Sequence, residues 1–124
     1  RSIAFSVAGA GAAALGIYKR TDAKAKDLAQ AVRAAYPACD VFAAQADAAG
    51  YDSVINTSSV GMKPDDPLII DPLHLTPAMT VSEIIMSPEM TPLLLEGQKR
   101  GCNISLGKSM LINQVKRLEK LLGL

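Results

Sequence analysis

The 124 residues, 49% hydrophobic and 20% charged, suit one ordinary globular domain built around one core. Thirteen basic residues against twelve acidic leave a net charge of +1, which excludes an overall field drawing the chain to nucleic acid or to an anionic membrane surface. Two isolated cysteines, Cys39 and Cys102, offer neither a CxxC pair nor a zinc site and fit a reduced, cytoplasmic protein; no apolar run approaches the roughly 20 residues of a membrane span.

Residues Ser2 to Ala10 read as a helix, entered directly from Arg1 without a methionine, which predicts a piece of a larger protein. Leu15 to Tyr18 read as a short buried strand ending at Lys19-Arg20. Thr21 stands as an N-cap, and Ala25, Leu28, Ala29, Val32 and Ala35 recur at helical spacing from Asp22 to Ala35, until Pro37 closes the segment. Asp40 to Ala43 is a weak strand and Ser53 to Asn56 a stronger one. Between Gly61 and Pro77, the prolines at 64, 67, 72 and 77 forbid a continuous helix or central strand, leaving a surface loop with one helical turn near Pro72. Met79 to Met86 is the most convincing strand, followed by a helix from Thr91 to Arg100, a strand from Cys102 to Leu106 and a closing helix from Met110 to Leu122. Met110, Leu111, Val115, Leu118, Leu121 and Leu122 form the apolar side of that last helix.

Short apolar strands alternating with helices predict an α/β fold: a mostly parallel sheet covered by helices on both faces, with ligands beyond the carboxyl ends of the strands. Gly9-Ala10-Gly11-Ala12-Ala13-Ala14 matches the G-x-G-x-x-A dinucleotide fingerprint. A real fingerprint opens a helix of about ten residues or more before the next strand. Only Leu15 to Tyr18 separate this match from Lys19, so the glycines are read as ending a helix and turning into a strand. The phosphate-binding turn is then expected upstream of Arg1.

Lys19, Arg20 and Thr21 follow a strand where such folds meet the adenosine ribose. An arginine there suits the 2′-phosphate of NADP, and an acid would suit NAD. Lys24 strengthens this, because a cation in a first helical turn opposes the helix dipole unless a phosphate binds beside it. Solvated surface charge is the competing explanation for all three cations, and Asp22 is better explained as stabilising the helix start. Asn56 to Met62, at the end of a strand, could let backbone approach a ligand. Met110 and Gln114 lie four apart on one helix face. Asp65-Asp66 reads as a solvated turn and His74 as incidental, and no metal site is expected. Glu83, inside an apolar strand, must find partners or lie near the strand end.

Taken in order, Tyr18-Lys19-Arg20-Thr21, Val54 to Met62, Pro88-Glu89-Met90-Thr91-Pro92-Leu93-Leu94 and Gly107 to Gln114 resemble the shikimate dehydrogenase family. The resemblance covers nearly the whole chain. It implies a Rossmann-like NADP-binding domain over residues 1–124 that lacks the family's first strand and glycine-rich turn, with a separate N-terminal substrate domain. It implies that Arg20, Thr21 and Lys24 clasp the adenosine 2′-phosphate, with Lys19 where the family usually has asparagine. Thr57, Ser58 and Met62 would line the cofactor channel, and Ile84, Gly107 and Met110 would flank the nicotinamide. Gln114 would reach the substrate's hydroxyls. The family transfers a hydride between NADPH and 3-dehydroshikimate, using a lysine and an aspartate of the other domain, so no catalytic residue is assigned in this chain. Glu83 stands for the family's aspartate, and Met86 for a substrate-contacting tyrosine. A thioether has no O–H to donate, so the expected substrate is shikimate-like without being fixed as shikimate. A cofactor-binding or regulatory module that has lost the chemistry is the alternative. A gap left by the missing strand also predicts either pairing with another chain, as in a homo-oligomer, or poor solubility.

Overall fold

A computed structural model describes residues 1–123. The chain forms two compact units, Arg1–Asp47 and Ala48–Leu124.

The first unit holds helix α1 (Ser2–Gly9), strand β1 (Ala14–Ile17), helix α2 (Asp22–Ala35) and strand β2 (Asp40–Ala43). Strands β1 and β2 pair in parallel, with Leu15 opposite Val41 and Ile17 opposite Ala43. Helix α2 buries Ala25, Leu28, Ala29 and Val32, the i, i+3, i+4, i+7 stripe of an amphipathic helix. Asp22 in its first turn and Arg33 in its last both complement the dipole. These residues make one core with Ala8, Ile17, Cys39 and Val41. Gly9 is the last residue of α1, and Gly11 turns the chain at φ +100°. Strand β1 begins three residues later, so no helix follows the glycine run. The fingerprint match is therefore a helix exit, as its spacing indicated.

The second unit holds β3 (Ser53–Asn56), a single 3-10 turn (Pro72–His74), β4 (Thr80–Glu83), helix α3 (Pro92–Lys99), β5 (Asn103–Ser105) and helix α4 (Gly107–Leu122). The three strands lie in the order β3-β4-β5, all parallel. Helix α3 packs on β4 and β5; a Cβ at Gly97 would lie 3.2 Å from Val81 Cγ2, so glycine lets the helix sit close on the sheet. Thr91 caps α3 through Leu94 N–H, and Pro92 occupies the first turn, where its missing N–H costs nothing. Ala48, Leu75, Met79, Val81, Leu93 and Leu94 form this unit's core.

The α/β class, the parallel strands and every expected element are present, with four differences. The strands fall into two sheets, because among the described residues no strand bonds to both. The buried apolar residues accordingly make two clusters, where the length suggested one. The strand expected to run to Met86 stops at Glu83, opposite Asn56, because β3 ends there; the last bond between the two is Ile84 N–H to the Asn56 carbonyl at 3.3 Å. The closing helix starts at Gly107, and its apolar side is uncovered: Leu111, Val115, Leu118, Leu121 and Leu122 are all exposed.

Candidate functional site

Beyond the carboxyl end of β1, Lys19, Arg20, Thr21 and Lys24 are all exposed. Lys19 and Lys24 come together, with Arg1, Asp27 and Leu28, around a cleft of about 190 Å3. Arg20 and Thr21, between them in sequence, do not line it. The Thr21 side chain makes no capping bond, and its carbonyl accepts from Lys24 N–H at 3.1 Å. Asp22 is engaged elsewhere: it pairs with Lys26 at 2.8 Å and holds the Lys26 ammonium above its ordinary pKa by hydrogen bond and charge. Lys19 and Lys24 thus lie at the N-terminal end of α2, and Asp27 is the one acid lining the same cleft.

In the second unit the ends of β3 and β4 are tied by a buried polar network. The Glu83 side chain is fully buried. Its Oε2 accepts from Thr91 Oγ1 at 2.9 Å and from Asn56 Nδ2 at 3.2 Å, and its Oε1 from Ile84 N–H at 3.2 Å. Asn56 also donates to the Val60 carbonyl at 2.9 Å, while its Oδ1 accepts from Ser58 N–H at 3.0 Å and Ser58 Oγ at 2.7 Å. One carboxylate thus fixes the turn after β3, the exit of β4 and the start of α3. Thr57, Ser58 and Met62 are presented outward by this turn, although the Ser58 hydroxyl is already bonded to Asn56 and to Val60 N–H. Asp66 closes the same loop by accepting from Gly61 N–H at 3.0 Å and Lys63 N–H at 3.1 Å, bonds that lower its pKa.

Gly107 and Ile84 are brought together. A Cβ at Gly107 would run into the Ile85 carbonyl oxygen and stand 2.8 Å from that of Ile84, so only glycine lets α4 start against the exit of β4. Met110 and Gln114 share a groove of about 260 Å3 with Ser105, Asn113 and Arg117. Met86 is 47% exposed and lies outside that lining. Among the described residues no His, Cys, Asp and Glu cluster could hold a metal, and no helix is long and apolar enough to cross a membrane.

Sequence reasoning singled out Glu83 but not the roles of Asn56 and Thr91, and it missed Ser105, Asn113 and Arg117. Thr91-Pro92 before a leucine run was a readable cap signal. Asn113 and Arg117 could have been found from their spacing to Met110 and Gln114.

No family model matches the chain. It is 38% identical over 106 residues to the NADP+ shikimate dehydrogenase of Shouchella clausii, covering 82% of this chain and 38% of that protein. Among solved structures, a 5-ketofructose reductase of Gluconobacter sp. strain CHM43, in ligand-free form, superposes with a TM-score of 0.86 at 30% identity, over 99% of this chain and 47% of that one. A shikimate dehydrogenase in complex with NADP+ superposes with a TM-score of 0.72 at 25% identity, over 83% of this chain and 46% of that one. The chain spans about two fifths of the length of the curated relatives it matches.

Proposed function

Because the chain is a homologue of the NADP-dependent shikimate dehydrogenases over nearly its whole length, we propose that it is the NADP-binding part of an oxidoreductase acting on a small cyclic hydroxy acid. The observation that carries this is the cleft where Lys19 and Lys24 converge at the start of α2. Two ammonium groups at a helix N-terminus suit the extra phosphate that separates NADP from NAD. Arg20 and Thr21, exposed beside the cleft, complete the clasp.

The second unit supplies the other groups. Gly107 lets the start of α4 lie against the exit of β4, which brings Ile84 and Met110 forward as the apolar surface for a flat ring, and Thr57, Ser58 and Met62 stand outward along the turn that Glu83 fixes. Bound NADPH would supply the hydride for carbonyl reduction, and bound NADP+ would take it up when the hydroxy acid is oxidised. Met110 and the Gly107 backbone would orient the ring, and Gln114 would hold a substrate hydroxyl. The proton is handled by a lysine and an aspartate outside this chain, in an N-terminal substrate domain. Met86, in place of a tyrosine, leaves the choice between shikimate, quinate and a related acid to the rest of the site. On this reading the protein works in the cytoplasm, in the shikimate pathway of aromatic amino acid biosynthesis, and pairs with a second copy of itself.

The test is turnover by the protein as naturally expressed. It reduces NADP+ when given shikimate or quinate, and Arg20→Ala or Lys24→Ala raises the KM for NADP+ about tenfold while changing that for NAD+ less than twofold, as expected for loss of one charge-assisted contact. Retained NADP+ binding without turnover of any cyclic hydroxy acid would make it a non-catalytic cofactor module.

A further inference from the structure

Glu83 ends β4 with no exposed surface, and three donors converge on its carboxylate: Thr91 Oγ1, Asn56 Nδ2 and Ile84 N–H. An ionised carboxylate only accepts, so it meets all three without turning a proton of its own toward any of them. Among the described residues no cation pairs with it. Burying such a charge costs stability that a well-packed apolar side chain would not lose, so holding the fold together does not by itself account for it.

The other members of the network are also fully engaged. Asn56 uses both amide hydrogens, on Glu83 and on the Val60 carbonyl, and its Oδ1 accepts from Ser58 N–H and Oγ. Thr91 Oγ1 donates to Glu83 and accepts from Leu94 N–H. None of these side chains can rotate without breaking a bond. Gly61, at φ +113°, brings the turn close: a Cβ there would stand 3.4 Å from Ile85 Cδ1, 3.8 Å from Thr91 Cβ and 4.0 Å from Glu83 Oε2. The turn bearing Thr57 and Met62 therefore rests on the same carboxylate that holds the Ile84 backbone, and the Ile84 and Ile85 carbonyls are in turn the seat of Gly107.

We propose that Glu83 is a positioning residue for the nicotinamide ring of the cofactor. The reach of its side chain sets the separation between the turn bearing Thr57 and Met62 and the Ile84 surface at the seat of Gly107. This rests on the cofactor reading above and adds the residue that keeps the two surfaces in register. Aspartate ends one methylene short of the same donors, whereas glutamine keeps the reach and loses an acceptor.

The experiment measures dissociation constants for NADPH and for 2′,5′-ADP, which carries the adenosine 2′-phosphate and no nicotinamide. It compares the wild-type protein, as naturally expressed, with Glu83→Asp and Glu83→Gln, and follows dihydronicotinamide fluorescence in the NADPH titrations. Glu83→Asp is expected to weaken NADPH about tenfold and to remove the emission change of a ring seated on apolar surface, while 2′,5′-ADP changes less than twofold. Glu83→Gln is expected to weaken NADPH about threefold, again with 2′,5′-ADP little changed. A merely structural role weakens both ligands together, in step with the unfolded fraction read from a urea curve. That result, or an unchanged NADPH constant in Glu83→Asp, would overturn the proposal. If Glu83→Asp does not fold, Glu83→Gln decides by the same comparison: a selective loss of NADPH upholds the proposal, and equal or no loss overturns it. Wild-type protein that binds 2′,5′-ADP as tightly as NADPH would overturn it too, leaving the phosphate cleft and the oxidoreductase reading in place. Wild-type protein that binds neither overturns the proposal together with the cofactor reading.

Discussion

Glu83 has no exposed surface and, among the described residues, no cation in ion-pair reach, so its carboxylate depends on Thr91, Asn56 and Ile84 N–H. Removing it strands donors that burial keeps from water, and each costs about 1–3 kcal/mol. Glu83→Ala is therefore expected to destabilise the chain by about 3 kcal/mol, read as the shift in a urea unfolding curve. Glu83→Gln keeps one acceptor but turns an amide N–H toward a donor, and should cost about 1 kcal/mol. A loss for Glu83→Ala within experimental error of wild type would show that the network does not hold these loops. Asp66 offers a pH counterpart. Its carboxyl is lowered by the Gly61 and Lys63 N–H bonds, so the contribution is present above the ordinary carboxylate pKa of 3.8 and is lost as pH falls through the lower folded value. The Gly61 and Lys63 amide resonances should move together below pH 3.8 and stay fixed through neutrality; movement near neutral pH would contradict the assignment.

Among the elements, α2 and α4 have equally clear apolar periodicity and opposite fates. Ala25, Leu28, Ala29 and Val32 of α2 are buried, whereas Leu118 of α4 is 57% exposed. Periodicity says which residues share a face and nothing about what covers it. A substitution should expose the difference: Leu94→Ala in α3, at a site with no exposed surface, should cost about 3 kcal/mol through lost contacts and a cavity. Leu118→Lys should change stability by less than about 0.5 kcal/mol, as surface substitutions do. Gly107→Ala tests how α4 is seated. Its Cβ would meet carbonyl oxygens well inside contact distance, so helix and strand exit must part, at about 2 kcal/mol or more. An unchanged unfolding midpoint would mean that α4 is not held against β4 at that point.

At the scale of the whole molecule, the elements were legible because their signals are local. Pro37 ended α2, Thr91-Pro92 opened α3, and the crowding of prolines between 64 and 77 marked the long loop. The division into two sheets was not, because which strands pair is a long-range property that no stretch of sequence carries by itself. The site divided in the same way. The position of Lys19 and Lys24 just after a strand was legible, while the convergence of Ser105 with Arg117 depends on how β5 and α4 pack. Charge gives the last prediction. With a net charge of +1 the protein has no general attraction for anions, so any preference for NADP over NAD must come from the few cations around the α2 cleft. Those cations are exposed, and salt screens exposed charges: the Debye length shrinks from roughly 10 Å at 0.1 M to about 3 Å at 1 M. Raising sodium chloride from 0.1 M to 1 M should therefore weaken NADP binding about tenfold and NAD binding much less, and Lys24→Ala should flatten the NADP dependence. Equal salt sensitivity for both cofactors in wild-type protein would place the phosphate contact somewhere other than this cleft.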